Sequence, residues 1–527
     1  MKKVLVSDKL AIEGVEIFKN AKGIEVDVKT GLKPEELKSI IKDYDGLVIR
    51  SATKVTDEII NAADNLKVVG RAGIGVDNVD VNSASKRGIV VMNTPGGNTV
   101  TTAEHAIAMM CSIARQIPLA TASMKNGQWE KSKFMGAELL NKTLGIIGIG
   151  RIGSIVADRA QGLSMRVIAY DPFISQESAE MLGVSLVSLD ELFARADFIS
   201  IHSPMTKETK GIVNAQAFAK MKKGVFVINC ARGGLVSEAD LYDALTSGKV
   251  AGAALDVFEE EPTKNTQLIA LDNVICTPHL GASTDEAQVN VAIAVAEQIV
   301  AYLTTGEISN AVNFPSVNAE LLNIIQPYIS LAEQLGKFHS QIATGAISEV
   351  TIEYSGDIIK HNVAPLTVAL LKGLLSPILT GSINYINAPV IAKERGIKVN
   401  EAKSTRTGDY TSMIELTINS SKGKSYTAGT LFGKQDARIV RIDNFTLEAI
   451  PEGHLLCIYN NDRPGVIGNI GAMMGQNNVN IARLHLSRDA QLKQALVVLS
   501  TDTSVSEDIL HKLRDLADVT SVTAVEM

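Results

Sequence analysis

Residues 143–172, TLGIIGIGRIGSIVADRAQGLSMRVIAYDP, decide the fold of this chain. An apolar run, Leu144, Ile146 and Ile147, ends in Gly148-Ile149-Gly150-Arg151-Ile152-Gly153, after which Ile155, Val156 and Ala160 recur at helical spacing. A second apolar run, Val167-Ile168-Ala169-Tyr170, stops at Asp171. Strand, glycine turn, helix, strand and terminal acid together spell a dinucleotide-binding unit. Gly148 permits the tight turn, Gly150 lets the backbone approach a pyrophosphate, and Gly153 lets helix lie close on strand; the helix N-terminus offers partial positive charge to the phosphates. Asp171 would accept hydrogen bonds from the ribose hydroxyls and repel a 2′-phosphate, which favours NAD over NADP.

Upstream, strand-like and helical runs alternate from Lys3 to about Asn98: KVLVSD, the segment around Val15 to Phe18, GLVIRS, KVVGRAG and IVVMNTPGG. This is a βαβ pattern with a parallel sheet, whose loops past the strand ends form the ligand-binding edge. Two of those loops carry arginines, Arg50 and Arg71, the second beside Gly73 and Gly75, which would let a ligand meet backbone amides. Anion binding is the expectation for both. Ala103, Ala106, Ile107, Met110 and Ala114 share one helical face, so a long helix connects the first domain to the second. Asn98 either caps that helix or donates its amide to a substrate carboxylate. Trp129, the only tryptophan, sits in the polar stretch NGQWEKSK and suggests docking, for instance against another subunit.

Downstream, VSLV, DFISIHSP, GVFVINCARGG, AGAALDVF and NVICTPHLGAST predict a second parallel sheet. Ser203-Pro204, Cys230, Arg232, Asp256 and His279 stand at strand ends where a nicotinamide would lie. A helix over about 285–304 returns the chain to the first domain, and Asn313-Phe314-Pro315 closes it.

With 527 residues the chain has length for three or four domains. A net charge of −7 and a pI near 5.7 are poorly suited to non-specific nucleic-acid or membrane binding. The cysteines, Cys111, Cys230, Cys276 and Cys457, show no metal spacing and sit in apolar segments, predicting small buried residues, reduced thiols and no metal. Met1-Lys2-Lys3 leads straight into a strand and no apolar run nears membrane-spanning length, so a cytoplasmic location is expected.

GIGRIG with Asp171, CARGG, Glu261 before Pro262, and HLGAST together resemble the D-isomer-specific 2-hydroxyacid dehydrogenases, over roughly the first three-fifths of the chain. RSATKVT, GRAGIGVDNVD, SMKNGQWEKSKFMG and ALDVFEEEP are most similar to its phosphoglycerate-oxidising branch. The resemblance implies that His279 is the acid/base, that Glu261 orients it and favours its charged form, and that Arg232 binds the 2-hydroxy acid. That division suits hydride transfer from a secondary alcohol, which needs a proton acceptor and a cation on the carboxylate. It also implies NAD contacts by Gly148, Gly150, Arg151, Ile152, Gly153, Asp171, Ser203, Pro204, Cys230, Asp256 and Gly281, and substrate contacts by Arg50, Arg71 and Lys131, the last reaching across from the other subunit of a dimer; Asn98 joins them on its own residue reading, and a homodimer or homotetramer is expected. Glu259 and Glu260 read as a solvated acidic run, and no chemistry is assigned to His105, His202 or His485.

The remainder has no glycine-rich nucleotide loop. Residues 316–450 resemble the intervening domain of long-form members and read as helices alternating with strands. From His454 onward, HLLCIYNNDRPGVIGNIG and the rest of the C-terminal segment give the order βαββαβ and resemble an ACT domain, which binds amino acids at paired interfaces. By that resemblance Asn460, Asp462 and Asn480 line an effector site, with serine the expected ligand. The expected class is α/β: two Rossmann-like parallel-sheet domains (1–98, completed by 286–315, and 99–285), an α+β intervening domain (316–450) and an ACT domain (451–527). The activity implied is NAD-dependent oxidation of 3-phospho-D-glycerate to 3-phosphohydroxypyruvate, the entry to serine synthesis. Two alternatives fit parts of the pattern: a glyoxylate or hydroxypyruvate reductase, which needs neither the basic cluster nor the tail, and a non-catalytic NAD-sensing binding protein.

Overall fold

A computed structural model of the chain describes residues 1–315, 319–379, 382–406, 408–489 and 491–527. Among these residues the chain forms four sheets. The first is parallel, in the order Ile24–Val28, Lys2–Val6, Gly46–Ile49, Val68–Arg71, Val90–Asn93. Its strands are short runs of β-branched residues buried on both faces, as parallel sheets require. Helix Asp285–Thr305 returns to this sheet: Val291, Val295, Ala296 and Ile299 join Val4, Val6, Val48, Val68 and Val90 in one apolar cluster. Asn313 fastens the return, its Oδ1 accepting from Val91 N (2.9 Å) and its Nδ2 donating to Ile89 O (2.9 Å). By length and composition that helix could cross a membrane, so the sequence does contain one run of spanning length; here the residues above bury its inner face in the first sheet.

The second sheet is also parallel: Val274–Cys276, Val250–Leu255, Val225–Asn229, Phe198–Ile201, Thr143–Ile147, Arg166–Tyr170, Ser185–Leu186. The strand order reverses beside Thr143–Ile147, and the crevice past the carboxyl ends at such a switch point is where open α/β sheets take ligands. Helix Thr99–Ala114 joins the two domains, burying Ala103, Ala106, Met110 and Ile113. It is shorter than a single long connector: Gln116, with φ 52°, breaks it before a second helix, Ile117–Lys125.

The third domain departs from the expected alternation. A long helix, Ala319–Ile342, a strand and the helices Ala364–Leu375 and Ala388–Glu394 come first; five consecutive strands from Lys398 to Ala449 then complete a six-stranded mixed sheet. The alternating burial of Ser412–Ser420 is the half-buried strand pattern, with Ile414, Leu416 and Ile418 turned to the helices. The last sheet, Ile481–Asp489, Gln494–Thr501, His454–Asn461, Val519–Glu526, is antiparallel and its elements follow the βαββαβ order. Leu455, Cys457, Leu496, Val498 and Val525 on one of its faces belong to the core of the third domain. Cys230 and Cys457 are buried as expected, but Cys111 is only partly so and Cys276, at the end of the edge strand Val274–Cys276, is exposed.

Candidate active site

Strand Thr143–Ile147 delivers the chain to the glycine turn, and helix Arg151–Gly162 leaves it with Gly150 at the N-cap position and no side chain occupying the cap. The glycines differ in what constrains them. A Cβ on Gly153 would collide with Gly148 O, so this position is fixed by the fold itself, whereas a Cβ on Gly150 would meet nothing within 4 Å. The space at Gly150, in front of free helix amides, is therefore shaped for a group from outside the chain, as a pyrophosphate would require. Asp171 is tied into the same turn: Oδ2 accepts from Ile149 N (3.0 Å) and Oδ1 from Phe173 N (2.9 Å).

Beside this turn lies a cavity of about 450 Å³ between the two domains. Its wall combines Arg71, Gly75 and Asp77 from the first-domain side, Asn98 from the start of the joining helix, and Arg151, Ile152, Ser203, Pro204, Cys230, Arg232, Asp256, His279 and Gly281 from the second domain. His279 and Arg232 thus share one pocket with the nucleotide turn. Arg232 Nε donates to Asp77 Oδ2 (3.1 Å), an ion pair across the cleft that sequence inspection missed because the partners are 155 residues apart.

His279 Nδ1 donates to Glu261 Oε2 (2.7 Å), leaving Nε2 without a partner among the described residues, and Glu261 Oε1 accepts from Phe258 N (3.2 Å). The bond from Glu261 raises the proton affinity of His279 above the ordinary histidine value, overcoming the opposing effect of burial. Burial alone would raise Glu261, but its bond with His279 and the Phe258 amide prevail and hold it below the usual carboxylate range. The pair is ready to carry imidazolium.

Asp256 reaches the cavity wall, but its carboxylate is turned into the loop that carries His279. It is fully buried and accepts from Thr277 Oγ1 (2.5 Å), Leu280 N (2.7 Å) and Gly281 N (2.8 Å). Arg71 has its Nε buried with no hydrogen-bond partner among the described residues, and burial, helped by the like charge of Arg232, depresses its pKa to about 10. An unpaired, desolvated guanidinium is costly and calls for an anion. Arg50 also has an unpaired buried Nε; it lies outside the cavity wall, its Nη1 donating to Lys9 O (3.3 Å). Asn98 lines the cavity; its side chain makes no capping bond, and its buried Oδ1 has no partner among the described residues. Lys131 is not brought to this site: it lies on an exposed turn, Lys131–Lys133, near Trp129, which is 80% exposed.

The segment 107–281 matches the D-isomer specific 2-hydroxyacid dehydrogenase NAD binding domain, 324–443 the D-3-phosphoglycerate dehydrogenase intervening domain, and 454–518 the ACT domain. The chain is 46% identical to D-3-phosphoglycerate dehydrogenase of Archaeoglobus fulgidus, over 100% of both chains. The chain belongs to the D-3-phosphoglycerate dehydrogenase family. The Synechocystis member is 44% identical over 100% of this chain and 95% of its own length. Among solved structures, a glyoxylate reductase from Paecilomyes thermophila superposes with a TM-score of 0.54 at 30% identity, covering 59% of this chain and 98% of that one. Like other members of the D-3-phosphoglycerate dehydrogenase family, the chain is an NAD-dependent dehydrogenase whose 2-hydroxyacid unit is followed by intervening and ACT domains.

In the ACT domain the three expected effector residues do not meet within one chain. Asn460 is buried, with Nδ2 donating to Asn461 O (2.9 Å), and Asp462 is ion-paired with Arg488 (2.5 Å). Asn480 donates to Asp502 Oδ2 (2.7 Å) at the opposite end of the sheet, where Ile481 and His454 both register with Thr501.

Proposed function

We propose that the chain oxidises 3-phospho-D-glycerate to 3-phosphohydroxypyruvate with NAD, the first step of serine synthesis. The observation that carries this reading is the convergence of His279, Arg232 and the unpaired Arg71 on one cavity beside the glycine turn. NAD, when bound, supplies the hydride acceptor. His279 Nε2 takes the hydroxyl proton of the substrate, Glu261 stabilises the resulting imidazolium, and Arg232 holds the carboxylate and polarises the forming carbonyl. Arg71 takes the phosphate, with Arg50 adding positive potential, and Asn98 donates its amide to the carboxylate. Gly148, Gly150, Arg151, Ile152, Gly153 and Asp171 would hold the pyrophosphate and ribose, with Ser203, Pro204, Cys230 and Gly281 along the nicotinamide.

The reductase alternative has one supporting observation, the likeness to a glyoxylate reductase, but a substrate without phosphate leaves Arg71 unpaired. NADH absorbance with 3-phosphoglycerate at alkaline pH, product being removed, tests the reading. Steady NADH formation is expected; none with phosphoglycerate, but turnover of glyoxylate with NADH, would favour the reductase, and neither would favour a binding protein.

The chain is also proposed to work as a homodimer or homotetramer. Trp129 and Met135, each 80% exposed, flank Lys131 on a projecting segment suited to contact with a second copy, from which Lys131 would reach the substrate phosphate. Ile481–Asp489 is an edge strand with Leu484 and Leu486 exposed; pairing of that edge about a two-fold axis would bring Asn480 of the second copy towards Asp462 and Asn460. Serine is the proposed ligand there. Sedimentation and serine titration calorimetry test both points: a monomer, or no heat with serine, would remove them. Unpaired thiols suit a reducing cytoplasm.

A further inference from the structure

The acid/base histidine sits on a loop with an unfavourable backbone. His279 has φ 56°, the left-handed region that a side-chain-bearing residue adopts only when its surroundings hold it there. Asp256 supplies part of the restraint: its backbone carbonyl accepts from His279 N (3.0 Å), and its carboxylate takes the amides of Leu280 and Gly281. The rest comes from the helix Thr99–Ala114. Thr102 Oγ1 lies 2.9 Å from Gly281 O, His105 Nε2 lies 3.1 Å from Thr277 Oγ1 and 3.3 Å from Asp256 Oδ1, and Thr101 Oγ1 lies 3.4 Å from Thr284 Oγ1. Residues 101, 102 and 105 share one side of a helix, so this face runs along the loop and touches it before, after and beneath His279.

We infer that Thr102 and His105 are positioning residues for His279, and that through them the helix joining the two domains sets the height of the imidazole in the cavity. Asn98 stands at the N-terminus of the same helix and lines that cavity, with its buried Oδ1 lacking a partner among the described residues. Asn98 and His279 are thereby mounted on one rigid piece, and the distance between the substrate's carboxylate contact and its proton acceptor is held constant when the domains move. His105 completes a further step: burial alone would favour the protonated form of Asp256, and the bonds from His105 and Thr277, together with the amides of Leu280 and Gly281, prevail and keep it a carboxylate able to hold those two amides. Neither residue touches the expected path of hydride or proton. Their effect is on geometry, for which displacement by about 1 Å can cost on the order of a hundredfold in rate.

This inference rests on the proposed dehydrogenase reading, and the test separates the two. Thr102→Val keeps the shape and removes the hydroxyl; Thr102→Ser keeps the hydroxyl; His105→Leu removes the imidazole bonds. Steady-state rates with 3-phosphoglycerate, NADH binding by fluorescence and thermal melting would be measured on the full chain of each. The expected result is a kcat about tenfold or more lower in Thr102→Val and His105→Leu, with NADH affinity unchanged and with Thr102→Ser close to the parent. Parent-like kcat in both Thr102→Val and His105→Leu would overturn the inference. So would an equal fall in kcat, NADH affinity and melting temperature in Thr102→Val and Thr102→Ser alike, since that pattern marks general damage. Absence of turnover in the parent chain would instead overturn the underlying reading.

Discussion

Glu261 Oε2 lies 2.7 Å from His279 Nδ1, and through this one contact the carboxylate both fixes the ring and raises its proton affinity above the ordinary value of 6.5. Oxidation needs the neutral imidazole as proton acceptor, so its rate should fall as pH drops through the raised pKa. Reduction needs the imidazolium and should persist up to that same pKa. In Glu261→Gln both limbs should move to lower pH and kcat should fall. Rate profiles against pH in the two directions check this, and limbs that stay in place in the variant would contradict it.

Replacement of His279 itself removes the acceptor without touching the nucleotide turn. His279→Asn should lower kcat by roughly a hundredfold or more, the scale of a lost general acid/base, while NADH still quenches or enhances fluorescence on binding. Normal turnover in this variant would refute the role.

Arg71 carries an unpaired, buried Nε, and its charge is most valuable to a dianion. Arg71→Ala should raise KM for phosphoglycerate about tenfold or more, the scale of a lost hydrogen bond to a charged group. D-Glycerate, which lacks the phosphate, should be less affected. Equal losses for the two substrates would place the phosphate elsewhere.

Two alanine substitutions in the glycine turn should separate folding from binding. Gly150→Ala puts its methyl into open space, so melting should be unchanged while NAD affinity falls; Gly153→Ala puts its methyl onto Gly148 O, so stability itself should fall. Calorimetric melting with and without NAD distinguishes them. Loss of stability in Gly150→Ala would mean that the space at this position belongs to the fold.

The turn and Asp171 were legible because everything that defines them lies within one short contiguous stretch. Arg232, Glu261 and His279 became legible only through resemblance, since no local pattern says that three strand ends will meet. What could not be read were pairings made by the approach of separate elements: Asp77 with Arg232, and His105 with Thr277, which are 172 residues apart. Asn98 is ambiguous for a physical reason, because its side chain offers an oxygen that could cap the helix and an NH2 that could donate to a ligand; the structure shows no capping bond from it. Asp256 reads from sequence as a cofactor contact because it ends a strand; it does line the cavity, and its bonds to Thr277, Leu280 and Gly281, made by a loop more than 20 residues further along the chain, could not be read locally. In the third domain the alternation of Ser412–Ser420 marks a strand, but no glycine or proline pattern announces that five strands run consecutively.

The return of helix Asp285–Thr305 to the first sheet has a consequence for how the protein is made. Strands from Lys2 to Asn93 leave the ribosome early, yet the face formed by Val4, Val6, Val48, Val68 and Val90 is covered only in part, by Phe18 and its neighbours, until Val291, Val295 and Ile299 have been translated. Throughout that interval the nascent chain displays a sticky apolar surface while the nucleotide domain between the two segments is free to fold first. The newborn polypeptide should therefore lean on a chaperone during elongation, and a ribosome stalled before Asp285 should present a ready client for one.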